Sequence, residues 1–329
     1  MLNQNNPEKS TILLVVIVNY RTANLTIDCL QSLASEIPNL PQTQVVVADN
    51  NSGDDSVAKI AAAIESKGWN EWVSFVPLER NGGYAFGNNA LIEPALRSPN
   101  PPPYFLLLNP DTIVRPNALK ILLDFMETNP EAGIAGSRLE DPDGTPQQSA
   151  FRFHSIASEI DYSLRLGVVS KLLEPWGAAP PVSQETCQTD WVAGASMIVR
   201  REVFETIGLL DEGYFMYYEE MDFCQQAKNS GWSCWYVPES RVVHLVGQSS
   251  GVTDTKIIAK RRPQYWFDSR RRYFVKNYGW LYAAIADICW VSGLLLFRLR
   301  RALQRKPDTD PPQILGDFLR SSTLIKGAD

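Results

Sequence analysis

Three carboxylates at positions 219–222 could supply a general base. They are Glu219, Glu220 and Asp222, and they directly follow the aromatic run 214–218. An aromatic surround partly desolvates a carboxylate, which raises its pKa and makes it a better proton acceptor near neutral pH. Carboxylates at a helix start are also stabilised by exposed backbone N–H groups, so helix capping is the alternative role.

Four further polar clusters lie just beyond short apolar runs. The runs cover residues 11–18, 44–48, 72–76 and 104–108, and the clusters are Asn19-Tyr20, Asp49-Asn50-Asn51-Ser52, Arg80-Asn81-Gly82-Gly83 and Asn109-Pro110-Asp111. In open α/β sheets, ligands bind beyond the carboxyl ends of the strands. We therefore expect the four clusters to converge on one crevice.

Two of these clusters carry a carboxylate that could contact a ligand. Asp49 and Asp111 could bind a nucleobase, a sugar hydroxyl or a metal ion. A hard divalent cation such as Mg²⁺ needs only one or two carboxylates, because it takes its other ligands from phosphate and water. Turn formation and helix capping are the alternative roles of both motifs.

The glycine pair Gly82-Gly83 lets the backbone approach a ligand, because glycine has no side chain to block it. The surrounding sequence lacks the GxGxxG spacing of a dinucleotide site, so a Rossmann dehydrogenase is set aside. A purely structural turn is the alternative.

Only two histidines are present, His154 and His244. His244 ends the apolar run 241–243 and precedes the Gly-rich and Ser-rich segment 247–251. A histidine at a strand end suits a metal ligand or a phosphate contact, and a structural role is the alternative.

The elements that must position these residues are strands that alternate with helices. Apolar residues recur with helical spacing at 57–64 and 118–125, between the apolar runs. This alternation predicts an α/β fold with a Rossmann-like, mostly parallel central sheet and helices on both faces. Further along, we expect a strand at 191–199 and a helix at 219–229 that stops at Gly231.

The composition is that of a globular protein with an uneven charge. The 329 residues include 44% hydrophobic and 21% charged side chains, which argues against a disordered or collagen-like chain. Between Lys256 and Lys306, thirteen Lys or Arg accompany only two Asp, a local balance of +11 that leaves −17 for the rest of the net −6. An acidic body would repel nucleic-acid phosphates, so no nucleic-acid partner is expected.

Taken together, the motifs resemble those of the inverting nucleotide-sugar glycosyltransferases of family 2, in particular the bacterial rhamnosyltransferase-like branch. They lie, in the family's order, at residues 15–20, 49–52, 80–84, 108–111, 191–197 and 217–222 and at His244. The resemblance covers residues 11–280.

The resemblance implies a GT-A fold and a division of the chain. A nucleotide-sugar-binding half (11–135) and an acceptor-binding and catalytic half (136–250) would form the GT-A domain, 11–250. The expected organisation is completed by a polar N-terminal tail (1–10), a basic and aromatic C-terminal helical extension (251–306) and a tail (307–329).

It also implies roles for individual residues. Donor-binding positions are Asn19, Tyr20, Asp49, Asn51, Asn81, Gly82, Gly83, Asn109 and Asp111, and acceptor-binding positions are Trp191, Gly194 and Tyr217. Asp111 and His244 would hold a divalent cation, Mg²⁺ or Mn²⁺, on the donor diphosphate. Asn109 replaces the first carboxylate of the family's DxD metal motif, which leaves one anionic ligand.

The catalytic base of the family is usually the Asp of a Glu-Asp pair. Glu220 occupies that position here, beside Glu219, and Asp222 lies close enough in sequence to remain an alternative.

The implied function is inverting transfer of a sugar from a nucleotide-sugar donor to a hydroxyl of a glycan or lipid-linked glycan, in cell-surface polysaccharide synthesis. The donor of first choice is dTDP-rhamnose, although UDP- and GDP-sugars use the same framework. A metal-dependent sugar nucleotidyltransferase is one alternative, but it would favour a basic Gly-rich loop near the N-terminus. A non-catalytic nucleotide-sugar-binding protein is another, but it would not need the cluster at 219–222.

The C-terminal part suggests contact with a membrane or with phosphates. The apolar run 281–297 is followed by an Arg-rich segment and is shorter than the roughly 20 residues that span a bilayer. A helix lying on anionic lipid is one expectation, and a buried amphipathic helix is the other. The basic runs 260–262 and 270–272 could meet the phosphates of a lipid-diphosphate acceptor or of the donor.

The expected location is cytoplasmic, with peripheral contact at the cytoplasmic face of the inner membrane. Five cysteines without a CxxC pair fit a reducing compartment, and residues 1–10 do not resemble a signal peptide.

Overall fold

Parallel strands and crossover helices build the first part of the chain. The computed structural model describes residues 11–245 and 260–327. Strands β1 (Leu13–Asn19), β2 (Thr43–Asp49), β3 (Val73–Pro77) and β4 (Tyr104–Leu108) alternate with helices α1 (Ala23–Leu33), α2 (Ser56–Ser66) and α3 (Gly83–Leu96). Every residue of β1 and β4 is buried, because helices cover both faces of the sheet. The four predicted strands and the predicted helix at 57–64 are confirmed.

The strands of this part lie in the order β3-β2-β1-β4 and are all parallel. Their register pairs Asn19 with Asp49, so the polar residues that end β1 and β2 stand side by side. The carboxyl ends of these strands therefore share one edge of the sheet, as the sequence predicts.

The second part extends the same sheet with mixed strand directions. It contains β5 (Thr112–Val114), α4 (Ala118–Thr128), β6 (Ala132–Glu140), β7 (Ala150–Phe151), α5 (Ile156–Leu164), α6 (Gly167–Leu173), β8 (Cys187–Thr189), β9 (Trp191–Val192), β10 (Ser196–Arg200), α7 (Arg201–Ile207), α8 (Glu219–Asn229) and β11 (Ser233–His244). β10 runs antiparallel between β4 and β6, and β11 pairs with β6 in parallel. Helix α8 has the predicted bounds.

The strand that we expect at 191–199 is interrupted. Residues 193–195 form a turn between β9 and β10. The backbone N–H of Asn109 donates to the carbonyl oxygen of Ala195 at 3.0 Å, which holds this turn against the end of β4. The interruption brings the turn into the crevice at the sheet edge.

The C-terminal part is helical, as predicted, and packs on helices α5 and α8 of the second part. It consists of α9 (Gln264–Tyr278), α10 (Trp280–Leu303), α11 (Ile314–Ser321) and α12 (Thr323–Lys326). Beyond residue 306, where we expect a tail, Phe318 of α11 stacks on Trp290 of α10 with ring centroids 3.8 Å apart. The division of the chain into the predicted domains remains a prediction, and residues 1–10 and 247–251 lie outside the described residues.

Helix α10 is longer than the apolar run that predicts it. Its 24 residues include an 18-residue window with a mean hydropathy of 1.7, of which 39% is buried inside the protein. By length and composition it is the one helix of the described residues that could cross a membrane. A buried core helix can meet the same criterion, so length alone does not decide between the two expectations.

Candidate active site

A cavity of about 260 Å³ lies at the carboxyl ends of the parallel strands, and we call it the donor cleft. Ten of the predicted site residues line it: Tyr20, Asn81, Gly83, Asn109, Asp111, Gly194, Tyr217, Glu219, Glu220 and His244. Six others do not: Asn19, Asp49, Asn51, Gly82, Trp191 and Asp222. The clusters that follow four separate strands therefore converge as the sequence predicts.

Asn19 and Asp49 lie beneath the donor cleft and bind each other. The Asn19 amide donates to Asp49 Oδ1 at 2.7 Å, and the Ser52 hydroxyl donates to the same oxygen at 2.6 Å. The backbone N–H of Ser52 donates to Asp49 Oδ2 at 2.9 Å. These bonds connect the ends of β1 and β2 and fix the loop that follows.

The loop at Asn81-Gly82-Gly83 is held from two sides. The Asn50 amide donates to Asn81 Oδ1 and to the Gly83 carbonyl oxygen, both at 3.0 Å. Gly83 has φ +90°, and a Cβ there would lie 2.0 Å from the carbonyl oxygen of Phe215. Only glycine allows this approach, which brings the start of α3 against the aromatic run before α8.

Glu219 and Glu220 face the donor cleft from the start of α8. Burial raises the pKa of both carboxyl groups, and the neighbouring Glu220 raises that of Glu219 further. Hydrogen bonds from the backbone N–H groups of Glu220 and Gly194 lower the pKa of the Glu220 carboxyl, which partly offsets the effect of burial. Neither Glu219 Oε2 nor Glu220 Oε2 has a hydrogen-bond partner within residues 11–245 and 260–327. A buried carboxyl with a raised pKa and a free oxygen can accept a proton from a bound ligand.

The backbone before α8 is strained. Tyr217 and Tyr218 have φ values of +69° and +73°, a conformation that residues with side chains rarely adopt. Strain of this kind is often stored at functional sites, where the surrounding packing imposes it. Here it turns the chain so that Glu219 and Glu220 both reach the cleft.

Asp222 points elsewhere. Its carboxylate accepts hydrogen bonds from Lys276 Nζ at 2.6 Å and from the Asn277 amide at 2.8 Å, both on α9. The side chain is buried in that contact and does not line the cleft. The geometry therefore separates Glu220 from Asp222, which the sequence leaves as alternatives.

Asp111 and His244 meet in the lining of the donor cleft. The two lie on neighbouring strand ends, because β11 pairs His244 with Thr112 of β5, and His244 Nε2 is 3.6 Å from Asp111 Oδ1. In the described part of the chain no group of three His, Cys, Asp or Glu side chains could hold a metal ion. One carboxylate and one imidazole fit a cation that takes its other ligands from a diphosphate and water.

A second cavity, of about 280 Å³, adjoins the donor cleft, and we call it the aromatic pocket. Six aromatic side chains form its walls: Tyr162, Trp191, Tyr217, Tyr218, Trp266 and Trp290. Tyr217 and Glu220 line both cavities, so the Glu220 carboxyl lies where the two meet. A larger cavity of about 590 Å³ beside β8 shares no lining residue with the donor cleft, and we assign it no role.

The sequence did not single out several residues that shape these cavities. The sequence predicts no site role for Asn50, Tyr84, Met216 or Trp266. It indicates Arg262 only as part of a basic run that could meet phosphates, and His154 only as one of two histidines. Tyr84 directly follows the glycine pair, which is the one signal that could have identified it. Trp266 carries no local pattern that indicates a binding site.

Comparison with known proteins identifies the class. Residues 14–208 match the model of glycosyl transferase family 2. The chain belongs to this family, and it is a nucleotide-sugar-dependent glycosyltransferase with a GT-A fold. Family membership sets aside the alternatives of a sugar nucleotidyltransferase and of a non-catalytic binding protein.

Two relatives and one solved structure show the similarity in detail. The chain is 30% identical over 234 residues to N-acetylglucosaminyl-diphospho-decaprenol L-rhamnosyltransferase of Mycobacterium tuberculosis, which covers 67% of this chain and 71% of the relative. It is 27% identical over 263 residues to dTDP-rhamnosyl transferase RfbF of Shigella flexneri, and this match covers 80% of this chain and 77% of the relative. The fold resembles that of mannosyltransferase PcManGT from Pyrobaculum calidifontis, solved with GDP-Man and Mn²⁺, with a TM-score of 0.54 and 14% identity. The superposition covers 98% of this chain and 83% of that structure.

Proposed function

We propose that this enzyme transfers rhamnose from dTDP-rhamnose, with inversion, to a hydroxyl of a lipid-linked glycan in cell-surface polysaccharide synthesis. The observation that carries the proposal is the position of Glu220, whose carboxyl lies at the junction of the donor cleft and the aromatic pocket. The names of the two curated relatives support rhamnose and a diphospholipid-linked acceptor.

In the proposed mechanism, the acceptor sugar enters from the aromatic pocket and the donor occupies the donor cleft. The Glu220 carboxylate takes the proton of the acceptor hydroxyl as its oxygen attacks the anomeric carbon. The attack comes from the face opposite the leaving nucleoside diphosphate, so the configuration inverts. Trp191 and Tyr217 would pack against the acceptor sugar, and this alignment of two substrates contributes a large part of the rate.

The donor would lie along the loop at Asn81-Gly83, with Tyr20 and Asn109 beside it. We propose that Asn19 and Asp49 position this site, because their polar atoms already bind each other and Ser52. Asp111 and His244 would hold Mg²⁺ or Mn²⁺, which offsets the negative charge that develops on the diphosphate.

A thermal-shift screen of nucleotide sugars, with and without Mn²⁺, tests the donor assignment. A ligand that binds only the folded state raises the melting temperature. We expect dTDP-rhamnose with Mn²⁺ to give the largest shift, and Asp111→Asn to remove the Mn²⁺-dependent part of it. A larger shift with a UDP- or GDP-sugar would contradict the choice of donor, and no shift with any nucleotide sugar would contradict the proposed function.

We further propose that α10 contacts the cytoplasmic face of an anionic membrane. Its exposed face carries Leu281, Ile288, Leu299 and Leu303, which are 67%, 52%, 58% and 77% exposed. The exposed bases Arg305 and Lys306 follow this apolar face, and the combination of apolar face and basic flank suits an interfacial helix.

Co-sedimentation with vesicles of phosphatidylglycerol or of phosphatidylcholine tests this contact. We expect binding to the anionic vesicles only, and loss of binding in Leu299→Glu. Equal amounts of protein in the supernatant with and without anionic vesicles would contradict it.

A further inference from the structure

Arg262 carries a positive charge into the aromatic pocket. Its guanidinium lies over the ring of Trp266, 4.4 Å from the centroid, and its Nη2 donates to the Tyr162 hydroxyl at 2.9 Å. Stacking on one face fixes the plane of the guanidinium and leaves donors at its edge for an oxyanion.

Neighbouring arginines of the two basic runs are already paired. Arg261 binds Asp317 at 2.7 Å, Arg270 binds Glu159 and Asp287 at 2.6 Å each, and Arg272 binds Asp211 at 2.8 Å. Arg262 forms no ion pair with a carboxylate of the described residues, although it lines a substrate-sized cavity. Among these four arginines, it is the one whose charge remains available to a ligand.

Of the two carboxyl groups that line the pocket, Glu159 and Glu220, the charge of Glu159 is compensated by an arginine. Glu159 accepts hydrogen bonds from Arg270 Nε at 2.9 Å and Nη2 at 2.6 Å. Burial alone would raise the pKa of Glu159, but Arg270 and His154 bring it below its usual value. The charge of Glu159 is therefore held by Arg270 and opposes an anionic ligand only weakly.

His154 adds a second donor when both of its ring nitrogens carry a proton, because the Nδ1 proton is used in the contact with Glu159. Its Nδ1 lies 3.3 Å from Glu159 Oε1, and its ring packs edge-on against Tyr218 with centroids 5.6 Å apart. The contact with Glu159 orients the imidazole and leaves Nε2 directed away from that carboxylate. His154 and Arg262 line the same pocket, which also contains Glu220.

We propose that Arg262, assisted by His154, binds the phosphate attached to the acceptor sugar, while Glu220 faces the hydroxyl of the same sugar. This assignment rests on the proposed function and makes the site selective for acceptors that carry a phosphate or diphosphate. An uncharged glycoside of the same sugar would lose this contact but keep its packing on the aromatic walls.

Steady-state transfer from dTDP-rhamnose to two synthetic acceptors tests the assignment. One acceptor is N-acetylglucosamine diphosphate with a short prenyl chain, and the other is octyl N-acetylglucosaminide. For Arg262→Gln we expect KM for the diphosphate acceptor to rise about 10-fold to 100-fold, as for one lost charge-assisted contact. KM for the octyl glycoside and kcat for both acceptors should stay near the wild-type values.

Two further variants complete the design. Arg261→Gln removes a charge from the adjacent position outside the pocket and should leave KM for both acceptors unchanged. Arg262→Lys keeps the charge without the planar fork and should give an intermediate KM for the diphosphate acceptor.

Three results would overturn the assignment. If Arg262→Gln leaves both KM values unchanged, or raises them equally, the phosphate site is wrong and the proposed function stands. If wild-type protein transfers sugar to neither acceptor and binds no nucleotide sugar, both proposals fail.

Discussion

The Tyr84 hydroxyl donates a hydrogen bond to the backbone carbonyl oxygen of Gly194 at 2.8 Å. Tyr84 lies on α3, next to the glycine loop of the donor cleft, whereas Gly194 lies in the turn between β9 and β10. Burial and the nearby charges of Glu220 and Glu219 raise the pKa of the Tyr84 phenol well above its usual value. The phenol therefore stays protonated and keeps its donor role, and the bond connects the donor side of the cleft to the side that carries the proposed base.

Removal of this hydroxyl should weaken that connection. For Tyr84→Phe we expect a loss of about 1–2 kcal/mol in the free energy of unfolding, because the Gly194 carbonyl loses its partner. The turnover number should fall with little change in donor affinity, since the turn at Gly194 also faces Glu220. Urea unfolding and transfer kinetics measure both effects, and unchanged stability would contradict the role of this bond.

Asp222 should contribute to stability and not to proton transfer. Asp222→Asn removes a carboxylate that Lys276 and Asn277 bind, so we expect unfolding to become easier by about 1–3 kcal/mol. The kcat of the folded variant should stay within about threefold of wild type. A large loss of kcat at wild-type stability would return Asp222 to consideration as the base.

Glu219 should make stability depend on pH. Its folded-state pKa is raised above the unfolded value of 4.5, so the stabilisation is present below pH 4.5 and is lost as the pH rises through the folded-state pKa. Glu219→Gln mimics the protonated form and should raise the melting temperature at neutral pH, by about 2 °C for each kcal/mol relieved. The difference should vanish near pH 4. A lower melting temperature of the variant at neutral pH would contradict this prediction.

The acid limb of the activity profile should reflect Glu220. The base must be ionised to accept a proton, and burial raises its pKa from 4.5. Activity should therefore fall with decreasing pH at a midpoint above 4.5, as measured from kcat/KM for the acceptor. A midpoint at or below the ordinary value would show that another group titrates.

The parallel half of the fold could be predicted because its signals are local. The apolar run at 104–108 is buried on both faces of the sheet. Within the helical spacing at 57–64, Ile60 and Ile64 form the buried face of α2, whereas Val57 is exposed. The break at residues 193–195 could not be predicted in the same way. It depends on the contact of Ala195 with Asn109, which joins segments far apart in sequence.

The candidate site was predictable as a set of residue types but not in its details. Asp49 carries the expected carboxylate, yet Asn19 and Ser52 occupy its oxygens, and no sequence pattern reports such bonds. Glu220 and Asp222 are both carboxylates near the start of the same helix, so the sequence alone does not show which of them faces the ligand. Their separation depends on where α9 packs, because Lys276 and Asn277 of that helix bind Asp222.

If Glu220 takes the proton of the acceptor hydroxyl, its replacement by Gln must slow transfer without weakening donor binding. Transfer kinetics and donor calorimetry of Glu220→Gln, with Asp222→Asn as the control, separate chemistry from binding. For Glu220→Gln we expect kcat to fall about 100-fold to 10,000-fold, with the dissociation constant of the donor unchanged within about threefold. A Glu220→Gln variant that turns over at the wild-type rate would contradict it.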